Sequence, residues 1–127
     1  MGIVWAARLL GARVPERVTG IDLMEAVIAL CAARGFRPYL LGATPAVVER
    51  TVATLRDRHP ALRPAGWRDG YFPPEEEEAV ARAIRASGAD CLFVGMPSPR
   101  KEAFVRRWQA TTGVRFAMGV GGAFDVI

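Results

Sequence analysis

The sequence predicts an α/β fold, a Rossmann-like open and mainly parallel sheet with helices on both faces. Short apolar runs alternate with helical stretches of about a dozen residues, the pattern of strands joined by right-handed crossovers. Two turns, Gly95-Met96-Pro97-Ser98-Pro99-Arg100-Lys101-Glu102 and Gly119-Val120-Gly121-Gly122-Ala123-Phe124-Asp125, each leave an apolar run. An open sheet of this class puts its ligand at such places. With 127 residues, 51% of them hydrophobic, residues 1–127 suit one domain with one core.

Taken in order, Ile3 to Leu10 reads as an apolar helix ended by Gly11, and Val14 to Gly20 as a loop. Asp22 is placed as the cap of a second helix. Leu23, Met24, Val27, Ile28 and Cys31 form its apolar face, and Gly35 marks its end. Pro38 to Leu41 is a strand, turned by Gly42-Ala43-Thr44-Pro45 into a helix. Thr44 suits the cap and Pro45 the first helical position, with Val47, Val48, Thr51, Val52 and Leu55 on one face. Leu62 to Trp67 reads as a weaker strand. After the turn Asp69 to Pro74, Glu75, Glu76, Glu77 and Glu78 open the next helix, where carboxylates meet the positive end of its dipole and a solvated helix start is expected. Cys91 to Val94 is the clearest buried strand. Pro99 to Thr111 is a helix with Phe104, Val105 and Trp108 inward, and Phe116 to Val120 is the last strand. The first helix starts without a cap and Ile127 follows a glycine turn that should feed another helix, so the chain reads as a piece of a longer protein.

Composition narrows the partners. Seventeen basic against thirteen acidic residues give +4, and all the basic residues but Lys101 are Arg. Arginine suits bidentate phosphate contacts, although an Arg- and Ala-rich composition equally reflects a genome's base composition. No basic run interleaved with aromatics argues for nucleic acid. No apolar run reaches the roughly 20 residues of a membrane span, and no secretion signal opens the chain. Cys31 and Cys91 lie in apolar stretches, where thiols act as small hydrophobes; a reduced, cytoplasmic setting is expected.

The chemistry open to these residues is limited. His59 is the only histidine and reads as an exposed helix end. No Asp-x-Asp pair is present to hold a divalent ion on a diphosphate. Neither Ser87 nor Ser98 sits in a Gly-x-Ser-x-Gly setting, which argues against a hydrolase triad. Phosphate charge would have to be met by Arg, Lys and backbone amides. Arg100, Lys101 and Glu102 open a helix after the strongest strand, and suit either a diphosphate at free helix amides or an exposed first turn with Glu102 and Arg106 paired. Gly119-x-Gly121-Gly122 suits tight helix-to-sheet packing or close approach to a bound group, and departs from the Gly-x-Gly-x-x-Gly fingerprint. Asp125 suits a base or ribose contact, or the cap of a following helix. Tyr71 suits a packed aromatic or a stacking platform, and Arg17 is compatible with a plain surface loop.

In order and spacing, Arg17-Val18-Thr19-Gly20-x-Asp22, Leu40-Leu41-Gly42, Gly70-Tyr71-Phe72, Gly95-x-Pro97-x-Pro99-x-Lys101-Glu102 and Gly119-Val120-Gly121-Gly122-x-Phe124-Asp125 resemble the WecG/TagA/CpsF glycosyltransferases, family 26, over essentially the whole chain. The resemblance implies an inverting, metal-independent enzyme without a cofactor. It would move a sugar such as N-acetylmannosamine from a UDP-sugar donor to a polyprenyl-diphosphate-linked acceptor in cell-surface polysaccharide assembly. By position, the family's active-site arginine falls on Arg17 and its strand-to-helix Gln or Lys on Lys101. Tyr71 and Asp125 fall on the uridine side. Thr19, Gly42, Gly70, Gly95, Pro97, Glu102, Gly121 and Gly122 complete the implied substrate contacts. The family's base, the Asp of an Asp-Gly pair, would fall just before Met1, and its C-terminal extension, thought to touch the membrane, would follow Ile127. The chain alone is therefore expected to bind a sugar nucleotide with little or no turnover, while the full-length protein is expected to sit at the inner face of the cell membrane. The alternatives are a non-catalytic nucleotide-binding module and an inactive gene fragment.

Overall fold

A computed structural model of the chain describes residues 20–96 and 100–120. In it α1 (Gly20–Arg34), β1 (Pro38–Gly42), α2 (Pro45–Arg58), β2 (Gly66–Arg68), α3 (Glu77–Ala86), β3 (Cys91–Gly95), α4 (Arg100–Thr112) and β4 (Phe116–Gly119) follow one another, with a 3₁₀ turn at Pro74–Glu76 ahead of α3. The strands form one sheet in the order β2-β1-β3-β4, every pair parallel. The expected α/β class is what forms. The helix predicted over Ile3 to Leu10 lies outside the described residues.

Alternation along the strands splits the core in two. Leu40, Cys91, Phe93, Phe116 and Met118 point to one face, where they pack with Met24, Ile28 and Cys31 of α1 and Val48, Val52 and Leu55 of α2. Tyr39, Leu41, Leu92, Val94 and Ala117 point to the other, against Val80 and Ile84 of α3 and Phe104 of α4. The chain moves one way from β1 to β2 and the opposite way from β2 through β3 to β4. Crossovers of a single hand must then place α2 on one face and α3 and α4 on the other, as observed.

Local chemistry fixes the element ends. Thr44 caps α2 by accepting from the Val47 amide at 3.2 Å, with Pro45 at its start, and His59 is its half-buried C-cap. Gly35, at φ +74°, ends α1 in the left-handed region that favours glycine. Asp22 is not a cap, because the helix already begins at Gly20. The expected strand over Leu62–Trp67 shrinks to Gly66–Arg68. Pro60 and Pro64 bracket a tight turn in which Leu62 N–H bonds to the His59 carbonyl, so pairing starts only beyond them. The glutamate cluster also departs from a purely solvated start. Glu75 and Glu76 belong to the 3₁₀ turn, Glu78 pairs with Arg82, and Glu77 accepts from the half-buried Trp108 indole at 2.8 Å, tying α3 to α4.

The amino ends of the strands are fastened by Asp90. Its carboxylate accepts from the Arg37 amide at 2.8 Å and faces the Arg115 guanidinium at 3.9 Å, while its main chain exchanges bonds with both residues. Between α1 and β3, the buried Cys31 and Cys91 thiols sit 3.6 Å apart and share a hydrogen bond. That bond and burial push the Cys91 thiol far above its ordinary range.

Burial also pushes the Tyr39 phenol up from its ordinary value, against the lowering influence of Arg68. The unfolded phenol ionises near pH 10 while the folded one stays neutral, so its contribution to stability is complete below that pH and declines as pH rises through the window. Urea midpoints followed from about pH 8 to about 11 should fall less steeply for Tyr39→Phe than for the parent chain. A second expectation concerns Gly42, whose φ is +141° and whose added Cβ would lie 2.5 Å from the Gly95 carbonyl oxygen. Gly42→Ala should destabilise by about 3 kcal/mol or more, whereas Gly35→Ala, which meets nothing within 4 Å, should cost about 1–2 kcal/mol for its backbone alone.

Candidate functional site

Strands β1 and β3 are neighbours whose following connections lead to opposite sides of the sheet, which makes the gap beyond their carboxyl ends the switch point where open sheets bind ligands. Gly42 and Gly95 are register partners there. Their backbones approach so closely that a Cβ on Gly42 would overlap the Gly95 main chain. Gly70, after β2, closes the group: its own Cβ would meet Gly42 Cα and Met96 Cγ at 3.2 Å, and its amide donates to the Ala43 carbonyl at 3.0 Å. Ala43 holds a φ of +61°, a strained value for a residue with a side chain. Three loops thus meet through backbone at one point.

The turn after β2 is held from both sides. Asp69 Oδ1 accepts from the Tyr71 amide at 2.8 Å. Arg100, the first residue of α4, donates from Nη1 to the Gly70 carbonyl and from Nη2 to the Phe72 carbonyl, each at 2.7 Å. The same guanidinium lies 4.6 Å from the Phe72 ring centroid, and Arg68 lies on that ring at 5.3 Å. Phe72 is buried edge-on to Phe104. Tyr71, between the two clamped carbonyls, is 71% exposed, so its ring is presented to solvent from a fixed backbone. Exposure of this extent places the ring outside the core.

Lys101 leaves the same helical turn in another direction. Its stem lies across Gly119 at the end of β4, where an added Cβ would sit 2.7 Å from Lys101 Cδ. The side chain is only 19% exposed, and its ammonium stands 3.8 Å from Glu102 Oε1. Glycine at 119 is therefore what gives the lysine its bed. The first turn of α4 spans the carboxyl edge of the sheet, reaching the β2 loop through Arg100 and β4 through Lys101.

The structure thus brings Gly42, Gly70, Tyr71, Gly95, Lys101 and Glu102 to the loops at one edge. Arg17, Thr19, Pro97, Gly121, Gly122 and Asp125 lie outside the described residues, and with them the expected convergence of Arg17, Lys101 and Asp125. Neither reading open for the start of α4, a diphosphate contact or an exposed first turn, includes the partners Arg100 finds: its guanidinium is engaged by two carbonyls and a ring. Nothing in the local sequence around Arg100 signals those partners, which lie 30 and 28 residues away. Among the described residues, no three His, Cys, Asp or Glu side chains gather to hold a metal ion. A depression of about 530 Å³ lined by Arg82, Arg85, Ala110 and Thr111 lies between α3 and α4 and shares no residue with this edge.

Chemically, the edge offers backbone amides, one ammonium and an exposed aromatic face, a set suited to a phosphate-bearing ligand with a planar ring. In comparison with known protein families, residues 1–127 match the family model described as "Glycosyl transferase WecG/TagA/CpsF family".

Proposed function

Since the chain belongs to the WecG/TagA/CpsF family of glycosyltransferases, we propose that it forms the sugar-nucleotide-binding core of an inverting enzyme. In this reading a sugar of the N-acetylmannosamine kind passes from a UDP-sugar to a polyprenyl-diphosphate-linked acceptor during cell-surface polysaccharide synthesis. The work is done on the cytoplasmic side, with the lipid-linked acceptor held at the inner face of the membrane. The observation that carries the proposal is the first turn of α4, which lays Lys101 across Gly119 at the carboxyl end of β4, the strand next to β3 and its Gly42–Gly95 switch point.

The proposed chemistry is one displacement. The acceptor hydroxyl attacks the anomeric carbon, the bond from that carbon to the UDP oxygen breaks, and a carboxylate takes the hydroxyl proton. Negative charge grows on the departing diphosphate. Lys101 is suited to meet it: its stem is packed across Gly119 and its ammonium stands beside Glu102, so little freedom is lost when it bonds a phosphate. Arg17 is proposed to act on the same diphosphate. Tyr71 offers its exposed face to the uracil ring, and the glycines at 42, 70 and 95 let backbone come near the ligand. Asp125 is proposed to contact the uridine from the turn after β4.

Isothermal titration with UDP tests this directly. The chain should bind UDP, and Lys101→Ala should weaken binding about tenfold or more, the loss of one charge-assisted contact. A Lys101→Ala variant that binds as tightly as the parent would remove the lysine from the diphosphate site. A folded chain that ignores UDP altogether would defeat the proposal.

A further inference from the structure

We infer that Arg100 is a positioning residue that presents the Tyr71 ring at the mouth of the site, an inference that rests on the nucleotide site proposed above. The carbonyls on either side of Tyr71 are both bound by one guanidinium, at 2.7 Å each, so the backbone that carries the ring is held at both of its flanks. The Asp69 carboxylate holds the Tyr71 amide, and Gly70 N–H is tied to Ala43 in the loop after β1. Beyond these, the guanidinium stacks over the buried Phe72, which anchors it against the core. Yet the ring so carefully carried is 71% exposed. A turn fixed by this many contacts gains nothing in core burial from an exposed tyrosine; what it gains is a planar surface in one place, the property a stacking platform for an aromatic base requires.

The contacts of Arg100 are directed at the β2 turn. A guanidinium that spans two carbonyls and lies on a ring spends one N–H of each Nη on the β2 turn, and a lysine ammonium, a single point of charge, cannot bridge both oxygens in the same way. Arg100 is placed by these bonds to act through Tyr71, while its neighbour Lys101 lies across Gly119 at the end of β4.

The test combines UDP titration with amide hydrogen exchange on the full chain and on Arg100→Gln, Arg100→Lys, Tyr71→Ala and the Arg100→Gln/Tyr71→Ala double variant. Without ligand, exchange over residues 70–72 should quicken in both Arg100 variants while the interior of α4 keeps its protection; unchanged exchange at 70–72 would overturn the inference. With UDP, both Arg100 variants and Tyr71→Ala should each weaken binding about tenfold, and the double variant should bind no worse than Tyr71→Ala alone. Full rescue by Arg100→Lys, or a double-variant loss equal to the product of the single losses, would mean that Arg100 meets the ligand itself, and would overturn it too. If the parent chain binds no UDP, the proposed nucleotide site fails, and the exchange data alone decide whether Arg100 sets the turn.

Discussion

Backbone touches backbone where β1 and β3 end, and the remainder of the carboxyl edge is arranged around that contact. Gly42 faces Gly95 with no room for a methyl group, and Gly70 fits against both the Gly42 Cα and the Met96 side chain. A side chain is excluded at Gly42, so the ends of β1 and β3 meet there through peptide groups. The two cations that follow on α4 divide the edge between them, one gripping the β2 turn and the other lying along β4.

The opposite edge is built on a different principle. There a single carboxylate, Asp90, bonds the amide of Arg37 and faces the guanidinium of Arg115, joining the starts of β1, β3 and β4. The strands join these edges with a buried layer on each face, α1 and α2 over one and α3 and α4 over the other. With its amino edge tied in this way, the sheet does not depend on the loops at the far end to hold it together.

Much of this was legible from residue order. The all-parallel sheet, the Thr44 cap, the Gly35 stop and the faces of α1 and α2 follow from local rules: periodicity, capping chemistry and the conformational freedom of glycine. The glycines at 42, 70 and 95 could be singled out because each follows an apolar run or turn signal. What escaped was set by distant partners. Glu77 resembles its solvated neighbours until Trp108 arrives from another helix, and Arg100 resembles a free cation until the β2 turn folds beneath it. The β2 boundary moved for a local reason, the prolines at 60 and 64, whose effect on pairing the apolar pattern had masked. Near the site, the glycines were readable and the pairings among side chains were not.

Ala43 carries a consequence of its own. Its left-handed backbone is unfavourable for any residue with a β-carbon, and it persists because the turn it serves is determined from several directions at once, the Gly70 amide among them. The peptide groups around it are held in orientation once the chain folds, so a ligand at the proposed site would not have to organise them. Under that proposal, part of the entropic cost of recognition would fall at the moment of folding and not at the moment of encounter, a form of preorganisation written into one dihedral angle.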